Sequence, residues 1–454
     1  MEIGVSSLLD LIRIDGLSII MTALILSVAV IIYRYSANYL AGDGSRRRFT
    51  RWFLLVILCV LVLVTSNHLL LMALAWIGTS LSLHRLLVFF PERPAAALAA
   101  HKKFLISRLG DIFIVSGFLL IGKHFGSYRL DVILDAAHNH VVEPTTTVTI
   151  GALFLASAAI LKCAQLPFHG WLIQVMEAPT PVSALLHAGV INLGGFLMIR
   201  FSPVVGDVQA AQWLLIVFGT VTAIVASLIM MTRVSIKVML AWSTCAQMGF
   251  MLLECGLGAY SLALLHLVAH SLYKAWAFLG SGRTVEEAVR RLSVTFDTKE
   301  RIWNWLIALP IAGVLVGIMV VLFRIDVVEE HSLAALAGVL AIALATFLAE
   351  GLSSGEKRIW FFLPAASFAI GGLYFMWHHL FTVSVGSLVS HVELTYAASG
   401  FVLGAFLLNY AMVALIRLRP RNQFVRRLHD YMYHGLYLDE LFTYVTLKIW
   451  PLSR

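Results

Sequence analysis

The chain has 454 residues, of which 60% are hydrophobic and only 13% are charged. A soluble domain cannot bury that much apolar surface, and a mean hydropathy of +0.88 is typical of membrane proteins. The net charge of +8 does not indicate nucleic-acid binding, because the basic residues cluster in short loops between apolar runs. The composition therefore predicts an all-α integral membrane protein.

About 13 apolar segments are long enough to form membrane-spanning helices. They lie at residues 16–33, 52–66, 68–90, 104–122, 148–165, 182–200, 211–231, 237–254, 258–280, 303–323, 332–350, 359–381 and 396–416. We divide the long run at Thr65-Ser66-Asn67-His68, because a single helix there would be far longer than a bilayer requires. Residues 1–420 are thus predicted to form one polytopic membrane domain.

The distribution of lysine and arginine predicts the orientation. With the N-terminus outside, the inner loops carry most basic residues, including Arg46-Arg47-Arg48 and Lys102-Lys103, whereas outer loops carry acidic residues such as Asp131. The C-terminus is then cytoplasmic. Residues 421–454 are basic and partly amphipathic, so this tail is predicted to lie on the inner membrane surface or to dock a soluble partner. An ordinary positive-inside tail is the alternative.

Three basic residues fall well inside predicted spans, namely Arg108, Lys162 and Lys274. Ionisable groups in hydrocarbon cost several kcal/mol, so they indicate function by default. Lys162 lies shortly before Pro167, which breaks a helix and leaves backbone carbonyls free to meet an ion. A lysine at such a break can take up and release protons. The alternative is a lysine whose side chain reaches the inner membrane surface.

The next span opens with Glu177, Pro179 and Pro181, and Pro181 suits the first turn of a helix. His187 follows inside this span, near Asn192. Histidine titrates near neutral pH and can relay a proton through either ring nitrogen. The alternative is a core histidine whose hydrogen bonds are satisfied.

His266, His270 and Lys274 are spaced four residues apart, which places them on one helix face. Three titratable groups in line predict a path for protons. A metal site with two histidines is the alternative. We disfavour it because no carboxylate or cysteine is expected nearby and because Lys274 would repel a metal.

Arg108 and Asp111 are three residues apart on one span and can form an ion pair, either structural or functional. If its helix touches that of Lys162, Asp111 can also set the charge state of the lysine.

One long motif runs through this region: Lys162-Cys163-Ala164-Gln165-Leu166-Pro167-Phe168-His169-Gly170-Trp171-Leu172, continuing with Met176-Glu177-Ala178-Pro179-Thr180-Pro181-Val182-Ser183-Ala184-Leu185-Leu186-His187-Ala188. It resembles the proton-translocating membrane subunits of complex I and of Mrp-type cation/proton antiporters. Further matches are Arg108-Leu109-Gly110-Asp111, residues 236–249 and residues 266–274. The resemblance covers residues 60–290 and extends loosely over the rest.

This resemblance implies two inverted repeats of five helices, each with a broken helix, and a polar chain across the bilayer centre. The break of the first repeat falls at Lys162–Pro167, with Lys162 as the central proton-binding lysine. The resemblance places on the ion pathway Lys162, His187, Lys237, His266, His270 and Lys274.

Three departures from the family pattern stand out. The family's Trp-Glu-Gly motif reads Trp76-Ile77-Gly78 here, so the glutamate that normally partners the broken-helix lysine is absent. The aspartate before the motif lysine is Ser235. The span that contains Pro310 carries no charge between Trp303 and Phe323. A non-conducting scaffold is therefore an open alternative.

Segments 76–81, 189–196 and 435–442 resemble most closely the membrane subunits of two-part inorganic-carbon accumulation systems in bacteria. The resemblance implies that proton or sodium flow drives CO2 hydration or bicarbonate uptake by a large, soluble, zinc-dependent, carbonic-anhydrase-like partner. It implies an inner-membrane location, and neither catalysis nor a cofactor or metal in this chain.

The alternative is a proton-pumping membrane subunit of an NADH/quinone oxidoreductase or an Mrp-type antiporter. The chain has no cysteine cluster and no dinucleotide glycine motif, so any redox chemistry would belong to partners.

Overall fold

The computed structural model describes residues 10–89, 92, 94–139, 145–282, 301–325, 331–353, 357–385 and 396–451. Regular structure in these ranges is helical, and isolated backbone bridges join Ile12 to Ser66 and His68 to Arg129. The basic loop 283–300, which contributes to the predicted orientation, lies outside the described residues.

The helices of the first part are, in chain order, α1 (Gly16–Tyr39), α2 (Arg46–Thr65), α3 (Leu69–Leu87), α4 (Pro94–Phe125), α5 (Leu130–His138), α6 (Thr146–Lys162), α7 (Gly170–Gln174), α8 (Thr180–Ala188), α9 (Leu193–Arg200), α10 (Ser202–Val205), α11 (Gln209–Met230), α12 (Ile236–Gly256) and α13 (Tyr260–Leu279). The later helices are α14 (Ile302–Leu322), α15 (His331–Leu352), α16 (Lys357–Val385), α17 (Tyr396–Leu418), α18 (Gln423–Tyr433) and α19 (Leu438–Ile449).

Eleven helices in the described residues are long and apolar enough to cross a membrane, with α8 and α9 counted as one. The protein is therefore an all-helical, multi-pass membrane protein with 11 candidate spans, fewer than the 13 predicted. The two remaining predicted spans coincide with α6 and α16. Helix α6 is short, with 17 residues, because the chain breaks at Lys162.

The predicted division of the long apolar run is confirmed. Helix α2 ends at Thr65 and α3 begins at Leu69. The ring of His68 accepts a hydrogen bond from the backbone N–H of Leu70 at 3.3 Å, which satisfies a free donor at the start of α3. The predicted outer loop 123–147 holds an additional short helix, α5, anchored by the buried side chains of Leu130 and Ile133.

The predicted helix break is also confirmed. Helix α6 ends at Lys162, and Ala164 adopts a left-handed conformation with φ of 50°. The chain turns through Pro167 before the five-residue helix α7. A second interruption, which the sequence analysis did not predict, separates α8 from α9 at the 3-10 turn Val190–Asn192. Two apolar segments that follow each other in the chain are thus both interrupted, one after α6 and the other between α8 and α9.

The C-terminal helices fold back onto this broken region. Asp439, in the first turn of α19, accepts hydrogen bonds from Lys102 Nζ on α4 and from Gln174 Nε2 on α7, both at 2.8 Å. The ring of Trp450 stacks on that of His101, with centroids 4.0 Å apart. The tail therefore docks on its own chain, through contacts that amphipathic patterning alone does not reveal.

Gly170 gives a direct test of this docking. A Cβ added at Gly170 would collide with Oδ1 of Asp439. We expect Gly170→Ala to displace that carboxylate, leave the buried Lys102 without its partner, and lower the free energy of unfolding by about 1–3 kcal/mol. Thermal unfolding of the detergent-purified protein measures this. Gly313→Ala, which meets open space, is the control. In an Asp439→Ala background, Gly170→Ala should cause no further loss in the free energy of unfolding. If it still did, the loss would arise within α7 itself.

Candidate functional site

The first polar cluster surrounds the end of α6. Lys162 is the last residue of the helix, and its Nζ lies 4.4 Å from the ring centroid of Trp76 on α3, a cation–π contact. A cavity of about 20 Å³ is lined by Lys162, Trp76, Lys103, Trp171 and Ile191, among others. That volume accommodates about one water molecule. The lysine thus faces a small, mainly apolar cavity that also reaches a second lysine, Lys103.

Lys102 and Lys103 are buried in α4 and do not lie in an inner loop as predicted. Helix α4 begins at Pro94, before the predicted start at residue 104, because the alanine-rich segment 95–100 has a high helix propensity. Lys103 Nζ donates to the backbone carbonyl and the hydroxyl of Ser80, at 2.5 and 2.9 Å. Lys103 is therefore a second buried lysine at the Lys162 cavity. The sequence analysis did not predict this, because it placed Lys103 in a loop.

Arg108 and Asp111 form the predicted ion pair, with Nη2 and Oδ2 2.6 Å apart. Asp111 is buried and also lies within Coulombic range of Lys162 and Lys103. The helices of Asp111 and Lys162 therefore meet, which the sequence left conditional. The anionic group near the broken-helix lysine is Asp111, whereas Ile77 occupies the position of the missing glutamate.

The second polar cluster follows one face of α13. Lys274 is fully buried, and its Nζ donates to Ser243 Oγ at 2.8 Å. The rings of His266 and His270 have centroids 6.2 Å apart, so these two predicted residues are neighbours on α13. His187 on α8 is buried and stacks on Phe278 at 4.4 Å.

Both ring nitrogens of His187 and of His270 are buried without a hydrogen-bond partner in the described structure. Buried polar atoms of this kind are rare in folded proteins. His187 lies within Coulombic range of both Lys274 and His270. The two rings therefore lie near each other and near Lys274, across α8 and α13.

Glu254 on α12 belongs to this cluster and was missed by the sequence analysis. Its Oε2 lies 2.8 Å from Nδ1 of His266, and it is 1% exposed. Glu254 is the last residue of the predicted span 237–254, so its position in the sequence does not mark it as buried. The argument that no carboxylate is near the histidines was therefore wrong. In the described ranges, even so, no three histidine, cysteine or acidic residues come together as metal ligands.

The remaining predicted residues lie at the start of α8 and α12. Lys237 Nζ donates to Thr180 Oγ1 at 3.1 Å, which ties the start of α12 to that of α8. Pro181 lies in the first turn of α8, as predicted, and Pro179 precedes the helix. Glu177 ends a 3-10 turn, and its side chain lies outside the described part of the structure.

The interruption between α8 and α9 connects the two clusters. Ile191 lines the cavity of Lys162, and its carbonyl accepts from Cys163 Sγ at 3.3 Å. The next residue, Asn192, donates to Ser271 Oγ on α13 at 2.7 Å, beside His270. One irregular turn therefore lines the cavity of the broken-helix lysine and is hydrogen-bonded to the helix that carries the histidine row.

Comparison with known proteins decides which family carries this arrangement. The family profile described as "NADH:quinone oxidoreductase/Mrp antiporter, TM" matches residues 66–323. The chain belongs to this family. A profile described as the chain 5 N-terminus of NADH-ubiquinone oxidoreductase (complex I) matches residues 11–50. The resemblance drawn from the sequence is confirmed.

Members of the complex I/Mrp antiporter family with different roles resemble the chain. It is 40% identical over 445 residues to the probable inorganic carbon transporter subunit DabB of Hydrogenovibrio crunogenus, covering 96% of this chain and 83% of that protein. It is 36% identical over 304 residues to NADH-quinone oxidoreductase subunit L of Mycobacterium tuberculosis, covering 63% and 47%. The chain is thus a DabB homologue over nearly its whole length.

Among solved structures, the Mrp complex from Dietzia sp. DQ12-45-1b contains a similar chain, with a TM-score of 0.64 and 22% identity. The match covers 96% of this chain and 52% of that chain, so the present chain spans about half the length of its Mrp counterpart. At this identity the likeness shows a shared antiporter-type fold.

Proposed function

We propose that this chain is the ion-translocating subunit of an inorganic-carbon transporter, in which proton or sodium flow drives CO2 or bicarbonate uptake by a partner. One observation carries the proposal: a single turn lines the cavity of the broken-helix lysine and is hydrogen-bonded to the helix of the buried histidine–lysine row, in a homologue of DabB over 96% of the chain. A scaffold would gain nothing from burying these ionisable groups, which cost several kcal/mol in a membrane.

The geometry supports stepwise transfer of charge. Lys162 shares its surroundings with an anion, Asp111, and a competing cation, Lys103. A proton on Lys162 is stabilised by Asp111 and opposed by Lys103, so small movements of α4 or of the break shift the balance. On the far side of the Val190–Asn192 turn, His187 lies close to Lys274. His187 is then the relay between the two lysines.

We further propose the finer architecture that the resemblance implies. It has 13 spans in two inverted repeats, with α6 and α16 as the additional spans. The N-terminus is outside and the C-terminus is in the cytoplasm of a bacterial inner membrane. The proposed partner is a large soluble subunit of the DabA type, which resembles a zinc-dependent carbonic anhydrase. Zinc and catalysis belong to that partner, and this chain contributes neither a cofactor nor a metal.

Purification of the native complex in mild detergent, followed by mass spectrometry and metal analysis, tests the proposal. One large zinc-containing soluble protein is the expected companion. Flavin and iron–sulfur subunits would instead assign the chain to a respiratory enzyme, and several small antiporter subunits would assign it to cation exchange. The similarity to subunit L, over 63% of the chain, keeps the respiratory role as the second candidate.

The histidine row can be tested by two matched substitutions. We expect His270→Asn to lower inorganic-carbon uptake by about tenfold or more, because it removes a buried proton-transfer group. His68→Asn should have little effect, since asparagine also caps a helix start. Uptake in cells that lack the native gene measures both variants at matched expression. Equal effects at the two positions would mean that the row on α13 is not a proton path.

A further inference from the structure

Glu254 stands apart from the other acidic groups of the bundle. Among the residues that the structure describes, the acidic side chains buried in helices are Asp111 and Glu254. Asp111 pairs with the permanent cation Arg108, whereas Glu254 contacts a titratable partner, His266, at 2.8 Å. An isolated buried carboxylate is expensive to keep charged. The Glu254–His266 pair can therefore hold one proton between them.

The groups around the pair are themselves titratable. His270 lies one helical turn along α13, and its ring centroid is 6.2 Å from that of His266. Tyr374 on α16 and Cys255 on α12 lie within Coulombic range of Glu254. The ring of Phe250 packs against His266 at 5.6 Å. Glu254 thus lies next to His266, at one end of the row formed by Lys274, His270 and His266.

The position of the pair along α12 places it at one end of the path. Lys274 contacts Ser243, near the start of α12, whereas Glu254 lies two residues before its end at Gly256. At about 1.5 Å per residue, these two points on α12 are roughly 16 Å apart. The row therefore crosses roughly half of a hydrocarbon layer of about 30 Å and ends at the connection between α12 and α13.

Helix α14 offers no alternative acceptor. No charged residue occurs between Trp303 and Phe323, which includes nearly all of α14. Charge that moves along α13 would find no ionisable acceptor on α14. Glu254 supplies an acceptor on α12 instead.

We propose that Glu254, positioned by His266, is the terminal proton-binding site of the row and exchanges protons with the membrane face at the α12–α13 connection. This inference rests on the proposed function. The bound species is a proton, because one carboxylate and one imidazole do not supply the several oxygen ligands that hard cations prefer.

A proton can pass from His266 to Glu254 in two steps. His266 Nδ1 faces Glu254, and its Nε2 is buried without a hydrogen-bond partner in the described structure. A proton arriving at Nε2 from the His270 side creates an imidazolium, which passes its Nδ1 proton to the Glu254 carboxylate. The neutral acid then releases that proton to water at the membrane face. His266 is left neutral with the proton on Nε2, and a shift of that proton from Nε2 to Nδ1 restores the starting state.

Proton flux in proteoliposomes that contain the whole purified complex tests the inference. Glu254→Gln is nearly isosteric and should lower flux by about tenfold or more, whereas Glu254→Asp should retain part of it. The control is Glu350→Gln, which removes an exposed acid that pairs with Arg417 and should leave flux unchanged. Wild-type flux in Glu254→Gln would overturn the inference.

Infrared difference spectroscopy across a pH jump provides a second test, which can be made on the wild-type complex if a variant folds poorly. The wild-type complex should show a buried carboxyl band that protonates, and Glu254→Gln should lack it. A wild-type complex without such a band would overturn the inference, as would flux that requires sodium and is insensitive to pH. Absence of any ion flux in the wild type would overturn the proposed function itself, which distinguishes the two failures.

Discussion

Replacing Lys162 with alanine is expected to reduce inorganic-carbon uptake to less than about a tenth of the wild-type rate, while the complex still assembles. The lysine is the charged end of α6 and faces the cavity shared with Lys103. Alanine removes the group that takes up the proton, but it leaves the break itself, which depends on Pro167 and the backbone. Uptake of labelled bicarbonate, together with the yield of intact complex, measures both parts of the prediction.

Two further lysine variants sharpen this experiment. Lys162→Arg keeps a positive charge, but a guanidinium does not release its proton, so it should be nearly as inactive as alanine. Lys123→Ala removes an exposed lysine from α4 and should be without effect. Unchanged uptake in Lys162→Ala would rule out a conducting role for this chain and favour the scaffold.

Replacing Arg200 with alanine is expected to give the largest loss of stability, about 3–5 kcal/mol. Arg200, the last residue of α9, is 4% exposed, forms an ion pair with Asp15, and donates to Ser18 Oγ at 2.9 Å. Asp15 also caps α1 by accepting from the N–H of Ser18. Burial raises the pKa of Asp15, but hydrogen bonds and the charge of Arg200 outweigh it and hold the pKa well below its usual range.

Thermal unfolding of Arg200→Ala and Arg129→Ala in detergent provides the matched comparison. Arg129 also pairs with an aspartate, Asp131, at 2.7 Å, but Arg129 is exposed and Asp131 is only half-buried, so water screens their attraction. Arg129→Ala should therefore change the melting temperature little. Because the pKa of Asp15 is depressed in the folded state, its contribution is present at neutral pH and is lost only in acid. If the two variants lost similar stability, burial would not be the source of the Arg200 effect.

The sequence predicts those features that depend on local pattern. Runs of apolar residues locate the spans, Pro167 locates the break, and spacings of three and four residues identify the Arg108–Asp111 pair and the row on α13. Each of these follows from helix geometry within a single segment. The resemblance to a family then connects them, and the matches over residues 66–323 and 11–50 confirm it.

The features that the sequence does not reveal depend on which helices pack against each other. Two consecutive lysines such as Lys102 and Lys103 are typical of an inner loop. Their burial follows only from the packing of α4 against its neighbours. Glu254 is twelve residues from His266, and the turn between α12 and α13 brings the two together. The sequence allowed Asp111 to act on the broken-helix lysine only if their helices touch, and the packing of α4 against α6 meets that condition.

The contact between Gly170 and Asp439 links two distant parts of the chain in evolution as well as in space. The carboxylate occupies the volume that any side chain at position 170 would need. Among related proteins, the two positions should therefore vary together, with a larger residue at one requiring a smaller one at the other. A chimaera that exchanges the C-terminal helices between relatives would have to exchange position 170 as well.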